Sequence, residues 1–330
     1  MTERVFVTGG DGFLGIHIVY KLLADGYQVR VFSEVGRPTP TLDGTAVEIV
    51  RGDLREQSAV TSAVYGSELL IHAAASTSVW PSRSRLLKEI NIGGTQNILH
   101  AAAVNGVKRI VHVGTASSFT PGTLHDPGTE ESPDAATSYR LGYIETKREA
   151  QRLVVEEYRR SGLPAIVVAP TFMIGPHDSK PGSGQLIIGL VKQKVPGYTA
   201  GGRNYVHVRD VADGIVAALD RGRIGDSYIL GNRNLSYREF FDIVSDLSGV
   251  KAPSIRFPSP LAIVAGFFGS LSGSILRRQP TLTLPMARIS VEANYYSAAK
   301  AIRELGLPQT PIEIAVEEAL RWFRDNGYII

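Results

Sequence analysis

Apolar positions along the 330-residue chain fall into two alternating rhythms. Short β-branched runs occur at Val5–Thr8, Val29–Ser33, Val47–Arg51, Leu69–Ala73, Ile110–Gly114, Ala165–Ala169 and Tyr228–Leu230. Each is short enough for a strand and bounded by turn residues. Between them lie helical patterns at Ile16–Ala24, Gln57–Tyr65, Arg85–Asn105 and Gly142–Ser161. Strands that alternate with helices predict βαβ units and a doubly wound parallel sheet of the Rossmann type. No internal repeat or low-complexity segment interrupts the pattern.

The first unit carries more than its periodicity. Val5–Thr8 runs directly into Gly9-Gly10-Asp11-Gly12-Phe13-Leu14-Gly15, and a helical run follows. In a strand–turn–helix context, Gly9 permits the tight turn, Gly12 lets the backbone approach a pyrophosphate, and Gly15 allows close helix–strand contact. Backbone N–H groups at the helix start then hold the negative charge. A dinucleotide site at the start of the chain follows.

Past residue 170 the rhythm breaks up. Pro170, Pro176, Pro181 and the glycines from Gly182 to Gly184 separate shorter segments. We expect a dinucleotide-binding domain over 1–170. Residues 171–330 should form a smaller, substrate-binding region, interleaved with the last elements of the first sheet. One later segment, Leu261–Leu276, contains no charge. Ser259 and Pro260 are suited to cap and start it as a helix. Leu261, Val264, Phe268, Leu271 and Ile275 then form one bulky stripe, with mostly Ala, Gly and Ser elsewhere. The pattern fits a helix buried on both sides. It equally fits a roof over an apolar substrate pocket beside Phe172. Its polar side lacks the basic residues of a membrane-surface helix, and it falls short of a spanning length.

Composition narrows the classes. Hydrophobic residues make up 43% and charged residues 20%, which suits a globular protein with a large core. The net charge of +3 comes from intermixed residues rather than a basic stripe, so nucleic acid is not an expected partner. Cysteine is absent, which removes disulfides, thiolate catalysis and thiolate metal sites. His17, His100, His112, His125 and His177 show no ligand spacing with carboxylates, so no metal site is expected. The first strand begins almost at the N-terminus and no long apolar run occurs, so the expected setting is cytoplasmic, with no membrane span.

Two groups of residues suggest chemistry. Tyr143 and Lys147 are one helical turn apart and share a face. A phenol titrating near about 10 is a poor acid or base at neutral pH, and a nearby ammonium lowers that value. The pair is a candidate acid/base unit, although the same spacing also occurs in solvated surface pairs. The strand ending at Gly114 leads into Thr115-Ala116-Ser117-Ser118, whose hydroxyls could hold a carbonyl oxygen or simply cap the turn.

Taken in order, these motifs resemble a known family. They are Gly9-x-x-Gly12-x-x-Gly15, Gly52-Asp53-Leu54, His72-Ala73-Ala74-Ala75, Asn91-x-x-Gly94-Thr95 and Tyr143-x-x-x-Lys147. Gly175-Pro176, the run Tyr205–Ala212 and Ser297-x-x-Lys300-Ala301-x-x-Glu304-Leu305-Gly306 continue the series. The set is similar to the extended short-chain dehydrogenase/reductase family, also called the NAD-dependent epimerase/dehydratase superfamily. It looks most like its dihydroflavonol-reductase-like and hopanoid-associated epimerase-like bacterial group. The resemblance implies Tyr143 as acid/base and Lys147 as ribose ligand and tuner of Tyr143. It places the family's Ser/Thr on Thr115, with Ser117 as a neighbour, and its structural and proton-relay asparagine on Asn91. Asp53 and Leu54 would flank the adenine, Ala73, Ala74 and Ala75 would line the cofactor path, and Pro170 would sit near the nicotinamide.

Departures from the family pattern sharpen the expectation. Nucleotide-sugar epimerases usually carry Asn where this chain has Phe172, whereas Arg203 matches their phosphate-contacting arginine. The acidic pair of sugar dehydratases is missing at Ala116-Ser117. His207 and Asp210 fit the family motif, with Asp210 expected to cap the helix Val211–Leu219. The expected function is therefore an NAD(P)-dependent oxidoreductase that interconverts a carbonyl and a secondary alcohol on a bulky, weakly polar molecule. A nucleotide-sugar epimerase using the same site, and a non-catalytic NAD(P)-binding sensor, are the alternatives. For the cofactor, Glu34 ends the second strand about 20 residues past the glycine turn, where an acid bonds the ribose 2′-OH and selects NAD(H). Ser33 in place of the usual Asp, and the nearby Arg37, favour NADP(H) instead. The balance favours NAD(H). A small-molecule substrate is the expected partner, and a homodimer is left open.

Overall fold

A computed structural model describes residues 3–81, 84–133, 141–276, 278 and 280–330. Seven parallel strands form the main sheet. In chain order its first six are β1 (Arg4–Thr8), β2 (Gln28–Ser33), β3 (Val47–Arg51), β4 (Leu69–His72), β5 (Arg109–Val113) and β6 (Ala165–Pro170). A second sheet contains β7 (Phe172–Ile174), β8 (Gly202–His207), β10 (Arg233–Ser236) and β11 (Ala293–Asn294). Between these, β9 (Ser227–Leu230) returns to the main sheet, whose order is β3-β2-β1-β4-β5-β6-β9. The order reverses beside β1, which creates the crevice where such sheets bind ligands.

Among the described residues, twelve α-helices connect and cover the strands. They are α1 (Phe13–Ala24), α2 (Gln57–Val64), α3 (Arg85–Lys88), α4 (Gly94–Val104), α5 (Gly142–Ser161), α6 (Gly184–Val191), α7 (Val208–Arg221), α8 (Tyr237–Ser248), α9 (Ser259–Leu276), α10 (Leu284–Val291), α11 (Ala299–Leu305) and α12 (Ile312–Asp325). A π-helical turn, Glu89–Gly93, joins α3 to α4, so the pattern predicted over Arg85–Asn105 is one nearly continuous helix with a bulge.

The core has layers on both faces of the main sheet. On one face, Val5, Val7, Ile71 and Val111 pack against Ile16 and Ile18 of α1 and Val211 and Ile215 of α7. On the other, Phe6, Leu70 and Ile110 meet Val60 of α2, Ile98 of α4 and Val154 of α5. Strands buried on both sides explain why their sequences are continuously apolar rather than alternating. A separate cluster joins the second sheet to α6, α8 and α12 through Ile174, Tyr205, Phe240 and Phe323.

Asn204 of β8 fastens the two sheets. Its amide nitrogen donates to the Asn232 and Tyr296 carbonyls and to Asn234 Oδ1, and its oxygen accepts from the Thr171 hydroxyl and the Asn232 N–H. Such a fully satisfied buried amide gives the contact a single geometry.

Two expectations fail here. Asp210 does not cap α7. The cap is His207, whose Nδ1 accepts from the Arg209 N–H, while the Asp210 carboxylate receives the Thr310 N–H and hydroxyl. The helix begins three residues earlier than the pattern implied, which places Asp210 inside its first turn. Helix α9 is not buried on both sides, nor does its bulky stripe face inward. Leu261, Val264, Phe268, Leu271 and Ile275 are all exposed, and the buried positions are Ala262, Gly266 and Gly273.

Candidate active site

The glycine turn is built for close approach. Gly9 has φ of +72°, and a Cβ there would lie 2.8 Å from the Ala74 backbone. A Cβ on Gly15 would lie 1.9 Å from the Gly9 carbonyl oxygen. Any side chain at either position would push β1, α1 and the Ala73–Ala75 segment apart. Gly12 is the N-cap of α1, with no side-chain cap and no acidic residue in the first turn. The helix start therefore carries unclaimed N–H groups, which suits a pyrophosphate. Phe13 and Leu14 open that helix, and both pack in the adjoining core.

At the end of β2, Ser33 is buried and its hydroxyl accepts from Arg51. Arg51 also donates to the Arg37 carbonyl at 2.6 Å and the Thr39 hydroxyl at 3.0 Å. Glu34 is exposed. Arg37 forms an ion pair with Asp11 of the glycine turn. Asp53 is held by Arg55 through paired hydrogen bonds, which keep its carboxyl below the usual range. Leu54 lies against Gly94, where a Cβ would come within 2.6 Å of it.

Behind the turn runs a buried hydrogen-bond chain whose direction is fixed. The Ala74 N–H donates to Thr8 Oγ1 at 3.1 Å, and Thr8 is 2.8 Å from His72 Nδ1. His72 Nε2 is 3.1 Å from Thr95 Oγ1, which donates to the Asn91 carbonyl at 2.7 Å. Since Thr95 donates onward, it accepts from His72, so His72 carries its proton on Nε2 and accepts from Thr8 on Nδ1. Burial, with the Lys147 charge nearby, lowers the His72 pKa to about 3 and keeps the ring neutral.

The Asn91 side chain extends this network. Its Oδ1 accepts from the Ser76 N–H, and its Nδ2 donates to the Ser76 carbonyl and to Thr146 Oγ1. Thr146 in turn donates to the Gly142 carbonyl at the start of α5. Asn91 thus ties the segment after β4 to the turn of α5 that bears Tyr143 and Lys147.

Lys147 is buried, and its Nζ donates to the Val113 carbonyl at 2.5 Å. Burial lowers its pKa to about 8. That bond pins α5 to the carboxyl end of β5, two residues before Thr115. The Thr115 hydroxyl is buried and accepts the Ser117 N–H at 3.3 Å. Tyr143 is half-buried, and burial raises its phenol pKa, the reverse of the lowering expected from Lys147. The ammonium is turned to Val113, so desolvation dominates and the phenol is a neutral acid at physiological pH.

The second sheet faces this end of β6. Pro170 is its last residue and is buried, and Phe172 opens β7 directly afterwards. Phe172 packs edge-on against Tyr205, with ring centroids 5.5 Å apart. The Arg203 guanidinium lies 4.7 Å from the Phe172 ring centroid and donates to the Tyr237 hydroxyl.

Sequence reasoning missed Thr8, His72, Thr95, Thr146, Arg51 and Tyr237 as members of these networks. His72 stood in a recognised motif, but only folding brings Thr8 and Thr95 to either side of it. Among the described residues no cluster of potential metal ligands occurs.

Comparison with known proteins agrees with this architecture. Residues 5–231 match the NAD dependent epimerase/dehydratase family. A protein from Synechocystis, provisionally named dihydroflavonol 4-reductase, is 33% identical over 336 residues, covering 100% of this chain and 97% of that protein. Sterol demethylase protein B of Methylococcus capsulatus is 29% identical over 337 residues, covering 98% of this chain and 99% of the relative. The crystal structure of gox2253 superposes with a TM-score of 0.88 at 30% identity, over the whole of both chains.

Proposed function

The chain belongs to the NAD dependent epimerase/dehydratase family, and from that membership we propose that it interconverts a carbonyl and a secondary alcohol on a bulky, weakly polar molecule. The observation that carries the reading is the 2.5 Å bond from Lys147 to the Val113 carbonyl. It holds Tyr143, one turn away, at the same end of β5 as Thr115. Bound nicotinamide supplies the hydride chemistry. The protein's part is to position and to move a proton. Thr115 holds the reacting oxygen, with Ser117 beside it. Tyr143 gives its proton to that oxygen during reduction, and its neutral state in the buried site suits that direction. Lys147 binds the ribose from its place at the end of β5, where the Val113 carbonyl holds it. Asn91 keeps α5 in place.

We assign the cofactor as NAD(H). Glu34 is exposed at the end of β2, and the charge of Arg37 is engaged by Asp11. A 2′-phosphate would meet a carboxylate and an arginine that is already paired. The uncapped start of α1 takes the pyrophosphate, Asp53 and Leu54 flank the adenine, and Ala73 to Ala75 and Pro170 line the path to the nicotinamide. Residues 1–170 carry most of this site, and the second sheet supplies the substrate side. There Phe172 presents an aromatic face, and its ring and Tyr237 hold Arg203. The sterol-related relative supports a lipophilic substrate class.

The test is turnover, followed by nicotinamide absorbance, on a panel of hydrophobic ketones and on UDP-sugars. Reduction of the ketones with NADH is the expected result. UDP-sugar epimerisation that collapses in Arg203→Ala, with no ketone activity, overturns the reading in favour of the epimerase. Tight NAD(H) binding with no turnover of either class would favour a sensor.

A further inference from the structure

The outward stripe of α9 has no counterpart in the active site and needs its own account. Phe267, Phe268 and Ile275 are 53%, 61% and 71% exposed, and Leu261, Val264, Leu271 and Leu276 are exposed with them. An α-helix turns about 100° per residue. On that basis Ala262, Gly266, Gly269 and Gly273 lie roughly opposite the bulky stripe. This small-residue side is occupied by the protein itself. A Cβ on Gly266 would lie 2.5 Å from Ala287 Cβ, on Gly269 2.0 Å from the Leu282 carbonyl oxygen, and on Gly273 2.9 Å from Pro280. The helix is seated on the segment leading into α10 and presents its large apolar residues away from the molecule.

Charge around the helix is one-sided. Between residues 247 and 291 there is no Asp or Glu, but there are five basic residues, Lys251, Arg256, Arg277, Arg278 and Arg288. The stretch is therefore +5, and the rest of the chain, with 30 basic and 32 acidic residues, is −2. The whole excess of positive charge lies in the segment that carries the exposed stripe. Lys251, Arg256 and Arg278 are exposed.

We propose that α9 docks on an anionic lipid bilayer, lying in the interface with Phe267, Phe268 and the stripe inserted and the flanking basic residues against the headgroups. A convex apolar helix bordered by cations complements a soft, negatively charged surface. Ser259 and Pro260 belong to the helix, so at 18 residues it reaches the spanning length and composition that the Leu261–Leu276 run was expected to miss. Its glycine side, however, is covered by its own chain, so it lies on the bilayer and does not traverse it. What counted against a membrane-surface helix in the sequence was its polar face, which carries no cation. The cations instead lie before and after the helix.

Flotation of the full-length protein with vesicles tests this. Wild type should float with vesicles of phosphatidylcholine and phosphatidylglycerol, less with phosphatidylcholine alone, and the difference between the two should shrink as salt rises. Phe267→Asp/Phe268→Asp should lower partitioning at least about tenfold. Lys251→Glu/Arg256→Glu should remove the preference for the anionic vesicles. Circular dichroism melting and NAD(H) binding should be unchanged in both variants, which shows that they fold. Failure of folded wild type to float with either vesicle overturns the proposal. So does flotation of the Phe267→Asp/Phe268→Asp variant at the wild-type level. A lipid-free dimer by light scattering that this variant converts to monomer assigns the stripe to a second copy instead, and overturns the lipid assignment.

Discussion

The Arg203 guanidinium lies over the ring of Phe172, 4.7 Å from its centroid. One of these residues speaks for a phosphate-bearing substrate and the other against it, and the fold makes them partners. Stacking of this kind is worth about 0.5 to 2 kcal/mol, depending on solvation. With Arg203 also bonded to Tyr237, its first role in our reading is to hold the aromatic wall. Phe172→Ala should raise KM for a bulky ketone about tenfold and change kcat less, as loss of uniform binding does. Arg203→Met should leave ketone turnover within roughly threefold, because the aliphatic stem is preserved. Steady-state kinetics of the two variants checks both.

Tyr143→Phe should reduce turnover by about a hundredfold to ten-thousandfold, the usual worth of a positioned acid. NAD(H) affinity should stay close to wild type, since Lys147 keeps its bond to Val113. Isothermal titration of the cofactor beside turnover on a verified substrate separates the two effects. Wild-type turnover in this variant would remove Tyr143 from the chemistry.

Lys147 makes stability depend on pH in a defined window. Its folded pKa is lowered to about 8, below the 10.5 usual for a lysine. Below pH 8 the ammonium is charged in both states, and the folded protein bears the full cost of burying it. Between pH 8 and 10.5 the unfolded chain holds a proton that the folded protein has released, so this group favours folding more as pH rises. Without cofactor, Lys147→Met should be the more stable protein at pH 7. Its advantage should shrink by up to about 1.4 kcal/mol per pH unit above 8. Denaturant melts of the two proteins across that range give the difference directly. A difference that does not change with pH would mean that the ammonium is not desolvated.

Cofactor choice should respond to a residue that is not itself a ligand. Asp11 neutralises Arg37, so Asp11→Asn should free the guanidinium and improve NADPH affinity relative to NADH by about tenfold, the worth of one charge-assisted contact. Glu34→Ala should shift the ratio the same way by removing repulsion. Binding of both dinucleotides to the three proteins decides it. A wild-type preference for NADPH would reverse the assignment.

Much of this was legible in the sequence because it is local. The strand limits came from short apolar runs, which in β1, β4, β5 and β6 are buried on both faces. The glycine turn followed from steric demands within seven residues, and Tyr143 and Lys147 from a single helical turn. What was not legible depends on folding distant segments together. The His72 chain needs Thr8 and Thr95 on either side, and the Arg37–Asp11 pair needs the end of β2 beside the glycine turn. The rise in the Tyr143 pKa needs knowledge that Lys147 turns to a carbonyl. For α9, the same stripe fits a core, a roof or an exposed face, because periodicity defines a face without saying what it meets. The glycines opposite the stripe decided its orientation, since they allow the chain's own backbone to come close on that side.

The return of β9 to the main sheet has a consequence for anyone who tries to divide this molecule. A piece ending after β6 would leave that strand's outer row of N–H and C=O groups bare, a template for pairing with other chains. In the intact protein Val167 to Pro170 are sealed by Ser227 to Leu230. The sealing strand arrives only after the chain has passed through β7, β8 and α7. No single cut therefore yields two self-contained halves. The two sheets are laced together in chain order, and whatever happens to one during synthesis or stress is felt by the other.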